Sequence, residues 1–449
     1  MKLGLIAMSG VRAANPELTA IGLTLPGFVE RSKVIASMPS LSLLTLAALT
    51  PPEVELEYRE IADLKLEPEL PHGYDAVAVS SYSAQVQDAY RVAEVYRGRG
   101  VPVVMGGLHV SVLPWEARAH GAAAVVGEGE LTWPRVVGDL AAGRLESEYH
   151  PPAGEFFDLA DSPIPRYDLL DPGKYNRLTV QTTRGCPHRC DFCASSILLT
   201  PKYRVKPVER VIAEVRRIKD LWPKPFIEFA DDNSFVNHAH SRELLHALKK
   251  ENVKWFTETD ISVAGDAELL VLMRESGCRQ ILIGLESPVD DGLDGIELRR
   301  NWKLRQRPDY EAAIGAIQSH GITVNGCFVL GLDGHGEGIF DEVYDFVERT
   351  GLYEVQITVL TPFPGTPLYA RLESEGRILE EGAWDRCTMF DVNFVPRGMS
   401  PERLQWGTVD LARRLYDSAF MDARRDRFMR QLRGKRAGGH EDGGGAHES

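Results

Sequence analysis

Two series of short apolar runs, each run followed by a stretch of helical period, organise the chain. In the first series the runs fall at 3–8, 54–61, 76–80, 101–105 and 123–126, and the helical stretches at 41–49, 85–98, 115–120 and 131–142. Such alternation predicts a parallel sheet with crossover helices. Gly100 supplies a helix stop, and Pro102 sits at a strand's start, where its missing N–H is tolerated. Residues 151–176 are rich in Pro, Asp and Gly without a sustained period and read as a linker. Six more runs follow at 178–182, 226–229, 255–258, 280–284, 324–330 and 354–360, interleaved with helices at 207–221, 241–250, 267–276, 310–320 and 339–350.

The predicted fold class is therefore α/β: a flavodoxin-like, doubly wound domain over residues 1–150, the linker 151–176, and a partial (βα)6 TIM-like barrel over 177–370. A C-terminal helical region follows at 371–436, and a polar, Gly-rich tail at 437–449 is predicted to be disordered. Doubly wound sheets bind ligands outside the carboxyl ends of their strands. Those ends carry Ser80-Ser81-Tyr82-Ser83, Gly106-Gly107-Leu108-His109 and Gly127-Glu128-Gly129-Glu130. Turns favour Gly and Ser in any case, but three such ends in one domain favour a bulky ligand with polar edges. The connection 9–39 is longer than a compact domain needs and is expected to cover that ligand.

Composition narrows the function classes. The 449 residues carry 51 Lys and Arg against 65 Asp and Glu, a net charge of −14, which disfavours nucleic acid as the main partner. The N-terminal run is too short for a signal peptide, and no window reaches the ~18 apolar residues of a membrane span. A cytoplasmic location follows as the expectation, with its cysteines reduced. Arginines 413, 414, 424, 425, 427, 430 and 433 near the C-terminus read as the solvated face of a docked helix, with a surface for nucleic acid or an acidic partner as the alternative.

Three of the six cysteines lie within eight residues, in Cys186-Pro187-His188-Arg189-Cys190-Asp191-Phe192-Cys193. One loop with C-x3-C-x2-C spacing presents three thiolates, soft ligands suited to three corners of a cubane iron–sulfur cluster. The fourth iron would then keep an open position. A zinc site recruiting His188 is the alternative, but structural zinc draws paired ligands from two segments, and no second pair is visible. Cys327 lies in an apolar run and reads as a small buried hydrophobe.

The spacing, the place after a first barrel strand and Phe192 before the last cysteine resemble the radical S-adenosylmethionine (SAM) superfamily. The resemblance implies that Cys186, Cys190 and Cys193 ligate a [4Fe–4S] cluster. It also implies that SAM chelates the open iron and is cleaved by one electron to a 5′-deoxyadenosyl radical. Asp231, Asp232, Glu258, Glu286 and Ser287 are the implied acceptors for SAM's ammonium and ribose hydroxyls, and Gly284 lets the cofactor lie against backbone. Asp232 could instead belong to a helix cap.

A doubly wound domain before such a barrel resembles the cobalamin-binding subgroup of the superfamily. Ser80, Ser81, Gly106, Gly107, His109, Gly127 and Glu128 are its implied cobalamin contacts. The subgroup's Asp-x-His-x-x-Gly motif is replaced by Met8-Ser9-Gly10-Val11-Arg12-Ala13, so no lower axial histidine comes from that loop. The resemblance implies methylation of an unactivated carbon of a small molecule, with flavodoxin or ferredoxin as electron donor. A radical oxidation, cyclisation or rearrangement without methyl transfer, and a non-catalytic cluster or corrinoid sensor, are the competing readings.

Overall fold

The computed structural model describes residues 1–9, 13–21, 23–24, 28–29, 38–67, 69–199 and 202–438. Its N-terminal sheet comprises β1 (Lys2–Met8), β2 (Glu55–Ile61), β3 (Ala76–Ser80), β4 (Val103–Gly106), β5 (Ala123–Val125) and β6 (Glu148–Tyr149). They run parallel in the order β2-β1-β3-β4-β5-β6. Alternate residues of β1 serve two cores: Leu3, Leu5 and Ala7 face one, Ile6 and Met8 the other. Burial of both faces explains why these strands read as continuous apolar runs. The sixth strand, β6, is two residues long and carries no run to announce it. A short helix, Leu108–Val112, also occupies what the sequence suggested was a turn.

The second sheet comprises β7 (Leu178–Val180), β8 (Phe226–Phe229), β9 (Lys254–Thr259), β10 (Cys278–Glu286), β11 (Thr323–Leu330) and β12 (Glu354–Val359). They are parallel in the order β12-β11-β10-β9-β8-β7. The sheet is an open six-stranded barrel with amphipathic helices such as Val208–Leu221 and Ile339–Thr350 on its outer side. Its apolar core also takes in Ala13 and Leu18 from the connection after β1. Within that connection Ala14 and Asn15 donate backbone N–H groups to Asp391 (2.8 and 3.1 Å). Gly10, Val11 and Arg12 and most of 22–37 lie outside the described residues, as does the predicted tail from 439 onward.

The C-terminal region is less helical than its composition suggested. After the helix Pro367–Ser374 the chain runs irregularly, with one 3-10 turn at Trp384–Arg386, before the helices Pro401–Leu415 and Ser418–Gly438. Trp384 and Cys387 of the irregular stretch pack into the N-terminal domain's core. The terminal arginines do not form one solvated face. Arg424 is buried and donates to the carbonyls of Leu352 and Leu415, while Arg427 donates to those of Glu348 and Arg349, capping a helix C-terminus.

Candidate functional site

The cysteine loop begins where β7 ends, and two adjacent carboxylates from the end of β8 fix its start. Asp231, buried, accepts from the N–H groups of Thr182 and Thr183 (2.7 and 2.9 Å) and from the hydroxyls of Thr182 and Ser234. Asp232 accepts from the Gly185 N–H at 2.7 Å and from the Ser195 hydroxyl. Both carboxylates thus organise the loop instead of standing free for a ligand. Thr183–Arg184 pairs antiparallel with Arg204–Val205, closing a hairpin around the three cysteines.

A second segment braces the loop from the far side. Cys190 bridges Glu297, Asp191 N–H donates to Ile296 (2.8 Å), and Leu298 N–H donates to Arg189 (2.9 Å). The buried Glu297 carboxylate accepts from the N–H groups of Arg189, Arg299, Arg300 and Trp302. Burial opposes its ionisation, but those donors hold it below the usual carboxylate range. Asn233 Nδ2 lies 3.7 Å from Cys186 Sγ and 2.9 Å from Asp260. His188 contacts Asp260 at 3.3 Å and stacks on Trp302 at 4.1 Å, so it is engaged away from any zinc role. Among the described residues no three His, Cys, Asp or Glu side chains converge on a single-ion site. A cubane makes no such demand, since it distributes its thiolates over separate irons. Phe192 packs at the margin of the barrel core.

Ile227, Ile281, Ile283, Leu285, Val324 and Ile357 face the outer helices, so the alternate positions line the barrel's inner face. That face carries Thr179, Glu228, Glu258, Gly284, Asn325, Cys327, Gln356 and Thr358, with the apolar Phe256 and Leu282 among them. Cys327 is half-buried there, beside Gln356 in the ladder, not sunk in the core as its apolar run suggested. Glu228 forms a buried ion pair with Arg177. The half-buried Glu258 is pushed up to about 8 by burial and by the like charges of Glu228, Asp232 and Asp231. Glu286 sits at a register shift of β10 with φ 64° and pairs with the buried Lys303 at 2.9 Å. A Cβ on Gly284 would displace that carboxylate and with it the ion pair. Ser287 is fully buried, 3.0 Å from His335 Nε2. Arg177, Glu228, Lys303 and Glu297 were not singled out from sequence; charged residues inside or flanking barrel strands were the available signal.

In the N-terminal domain the strand order reverses between β1 and β3. There, among the described residues, the buried Ser9 Oγ, Ser81 Oγ and Gln85 Oε1 have no hydrogen-bond partner, and Tyr82 is 66% exposed. Orphaned polar atoms at a switch point suit a polar-edged ligand. Ser80 ends β3 beside them, half-buried. Gly106 contributes little, whereas Gly107 (φ 111°) and Gly127 (φ 75°) hold conformations that favour glycine.

Two expected contacts lie elsewhere. His109 is fully buried, with Nδ1 3.1 Å from Ser83 and Nε2 3.2 Å from Glu116, and its edge packs on Trp384; it is committed to the core. Glu128 faces the barrel: it takes Arg184 at 2.8 Å, Arg204 at 2.5 Å and the Phe157 N–H at 2.7 Å, while Glu130 takes Arg184 at 2.6 Å. Despite burial, the two arginines hold Glu128 below the usual range. This clamp joins the fifth strand end of one domain to the hairpin bracketing the cysteines of the other.

Comparison with known proteins decides the family. The model of the Radical SAM superfamily matches residues 180–347 and that of the B12 binding domain matches 70–137. The chain is a radical SAM enzyme with a B12-binding domain. A Domain of unknown function (DUF4070) matches residues 366–443. Its cofactors are those of the two named families: an iron–sulfur cluster with SAM, and cobalamin. Bacteriochlorophyllide d C-12(1)-methyltransferase of Chlorobaculum tepidum is 27% identical over 89% of the chain and 85% of its own length. Hopanoid C-2 methylase of Rhodopseudomonas palustris is 28% identical over 78% and 67%. The fold is similar to that of the radical SAM methyltransferase TsrM from Kitasatospora setae, with a TM-score of 0.66 and 17% identity over 93% of the chain and 89% of TsrM. It is also similar to the cobalamin-dependent enzyme OxsB, with a TM-score of 0.67 and 16% identity over 90% and 65%. Among the described residues no helix is long and apolar enough to cross a membrane.

Proposed function

We propose that this enzyme is a C-methyltransferase acting on an unactivated carbon of a small molecule. The observation that carries the reading is the clamp of Glu128 and Glu130 on Arg184 and Arg204, which ties a B12-side strand end to the cysteine loop. Cys186, Cys190 and Cys193 would hold the [4Fe–4S] cluster, their three-thiol donor set leaving one iron open. Glu286, Ser287 and Glu258, with Gly284 as backbone approach, would hold SAM, while Asp231 and Asp232 position the loop through its N–H groups. Ser9, Ser81 and Gln85, with Ser80, Gly106, Gly107 and Gly127 shaping the strand ends, would receive cobalamin, and their orphaned atoms fit its amide edges. When bound, the cluster supplies an electron for reductive SAM cleavage and the corrinoid supplies a methyl group.

The chain's own residues set the conditions for that chemistry. Glu258, held protonated near neutral pH, offers a hydrogen-bond donor without adding negative charge beside Glu228. Lys303 neutralises Glu286 within the barrel. An acidic flavodoxin or ferredoxin is the proposed electron donor, and the cytoplasm the proposed location. Relatives that methylate bacteriochlorophyllide d or hopanoids support methyl transfer over oxidation or sensing. Anaerobic reconstitution with iron and sulfide, followed by incubation with SAM, methylcobalamin, dithionite as reductant and a bacteriochlorophyllide or hopanoid as candidate acceptor, tests the reading. We expect 5′-deoxyadenosine and S-adenosylhomocysteine, with 5′-deoxyadenosine abolished in Cys186→Ala. Turnover to 5′-deoxyadenosine without S-adenosylhomocysteine or a methylated product would sink methyl transfer, and unchanged cleavage in Cys186→Ala would sink the cluster assignment.

A further inference from the structure

The stretch 298–307, Leu-Arg-Arg-Asn-Trp-Lys-Leu-Arg-Gln-Arg, carries five cations and no acid in a chain of net charge −14. Lys303 is neutralised by Glu286 and Arg307 by Asp290. Arg299, Arg300 and Arg305 are exposed and, among the described residues, none pairs with a carboxylate. Leu298 beside them is 51% exposed. This surface is attached directly to the cysteine loop: Leu298 N–H donates to Arg189, and Arg299 reaches the Pro187 carbonyl at 3.5 Å. Trp302, from the same stretch, stacks on His188, which lies between Cys186 and Cys190 in sequence. The chain's other arginine-rich element, the helix Ser418–Gly438, packs Arg424 and Arg427 against the approach to β12, at the strands' amino ends and so opposite the cysteine loop.

We infer that Arg299, Arg300 and Arg305, around Leu298, form the docking surface for a small acidic one-electron carrier. The inference rests on the three cysteines holding the cluster. One electron would leave the reduced carrier, which is thereby oxidised, and pass to the cluster that Cys186, Cys190 and Cys193 would hold. An exposed leucine in one short stretch with three exposed arginines that, among the described residues, have no carboxylate partner fits a transient redox encounter, which is small, steered by charge and weakened by salt. Uncompensated arginines on an otherwise acidic molecule also direct such a carrier to one face.

The test compares wild type with the double variant Arg300→Glu/Arg305→Glu, both reconstituted, using purified flavodoxin and, separately, dithionite as reductant. Flavodoxin-driven 5′-deoxyadenosine formation is expected to fall at least about tenfold in the variant, and that of wild type to fall with rising salt. Binding of oxidised flavodoxin at low salt should weaken in parallel, while the dithionite-driven rate stays unchanged. Unaltered flavodoxin binding and rate would overturn the inference, as would an equal loss with dithionite. Should the charge-reversed protein not accumulate folded, Arg300→Gln/Arg305→Gln carries the same comparison with a smaller loss. Wild type inactive with dithionite would instead count against the cluster reading, and flavodoxin binding would still report on the surface.

Discussion

Glu258 illustrates how one inner-face residue responds to its neighbours. Its carboxyl is raised from 4.5 to about 8, so the folded protein retains a proton that the unfolded chain has released. The stability this contributes is complete below pH 4.5 and is lost as pH rises through 8, at a slope of at most about 1.4 kcal/mol per pH unit. Glu258→Gln should remove that slope, so its thermal midpoint should gain on wild type between pH 6 and pH 9. Parallel curves would refute the protonated state. Glu128 is the opposite case, a carboxylate kept ionised by two arginines. Glu128→Ala leaves both cations part-buried and should cost about 3 kcal/mol in denaturant unfolding, with faster proteolysis in 151–176. His109 bears on the corrin as well. With both its ring nitrogens committed and no histidine in residues 1–39, cob(II)alamin bound here should show an EPR spectrum without histidine nitrogen splitting. Nitrogen splitting from ¹⁵N-sensitive histidine would contradict that.

At the scale of elements, the barrel strands were legible because each sets an apolar outer face within a short run of period two, and amphipathic helices are interleaved with them. β8 matches its run at 226–229, and the helix Ile339–Thr350 matches 339–350. The two-residue β6 and the helix Leu108–Val112 were not legible, since neither is long enough to show a period. In the site, the cysteine spacing could be read because three ligands share one loop. The Arg177–Glu228 pair and the Glu297 brace could not, because they join segments whose proximity only the barrel creates. One packing contact is sharp enough to predict. Gly407 in the helix Pro401–Leu415 lies against the Phe340 ring, where a Cβ would collide. Alanine normally gains about 1 kcal/mol over glycine inside a helix, but overpacking costs about 1–3 kcal/mol. Gly407→Ala should therefore be neutral to destabilising by about 2 kcal/mol in urea unfolding; a stabilised variant would show that the two helices separate freely.

For the whole molecule, contacts among the described residues that hold the domains in one arrangement include the Glu128 clamp, Trp384 hydrogen-bonded to Glu116 at 3.1 Å, and Ala14 and Asn15 on Asp391. Trp384 and Asp391 belong to the irregular stretch before the terminal helices, so removing the chain after 375 should loosen the N-terminal domain as well as the barrel. Hydrogen exchange in β3 and β4 of such a truncation is expected to rise; unchanged protection would show the domain independent. The clamp has a further consequence. Arg184 and Arg204 come from the two strands that flank the cysteines, and both end on Glu128. The parts of this enzyme are therefore poor cassettes: an N-terminal domain exchanged for a foreign one lacking both Glu128 and Glu130 would unfasten both sides of the cysteine loop at once, and a working chimera would have to inherit the whole four-residue knot.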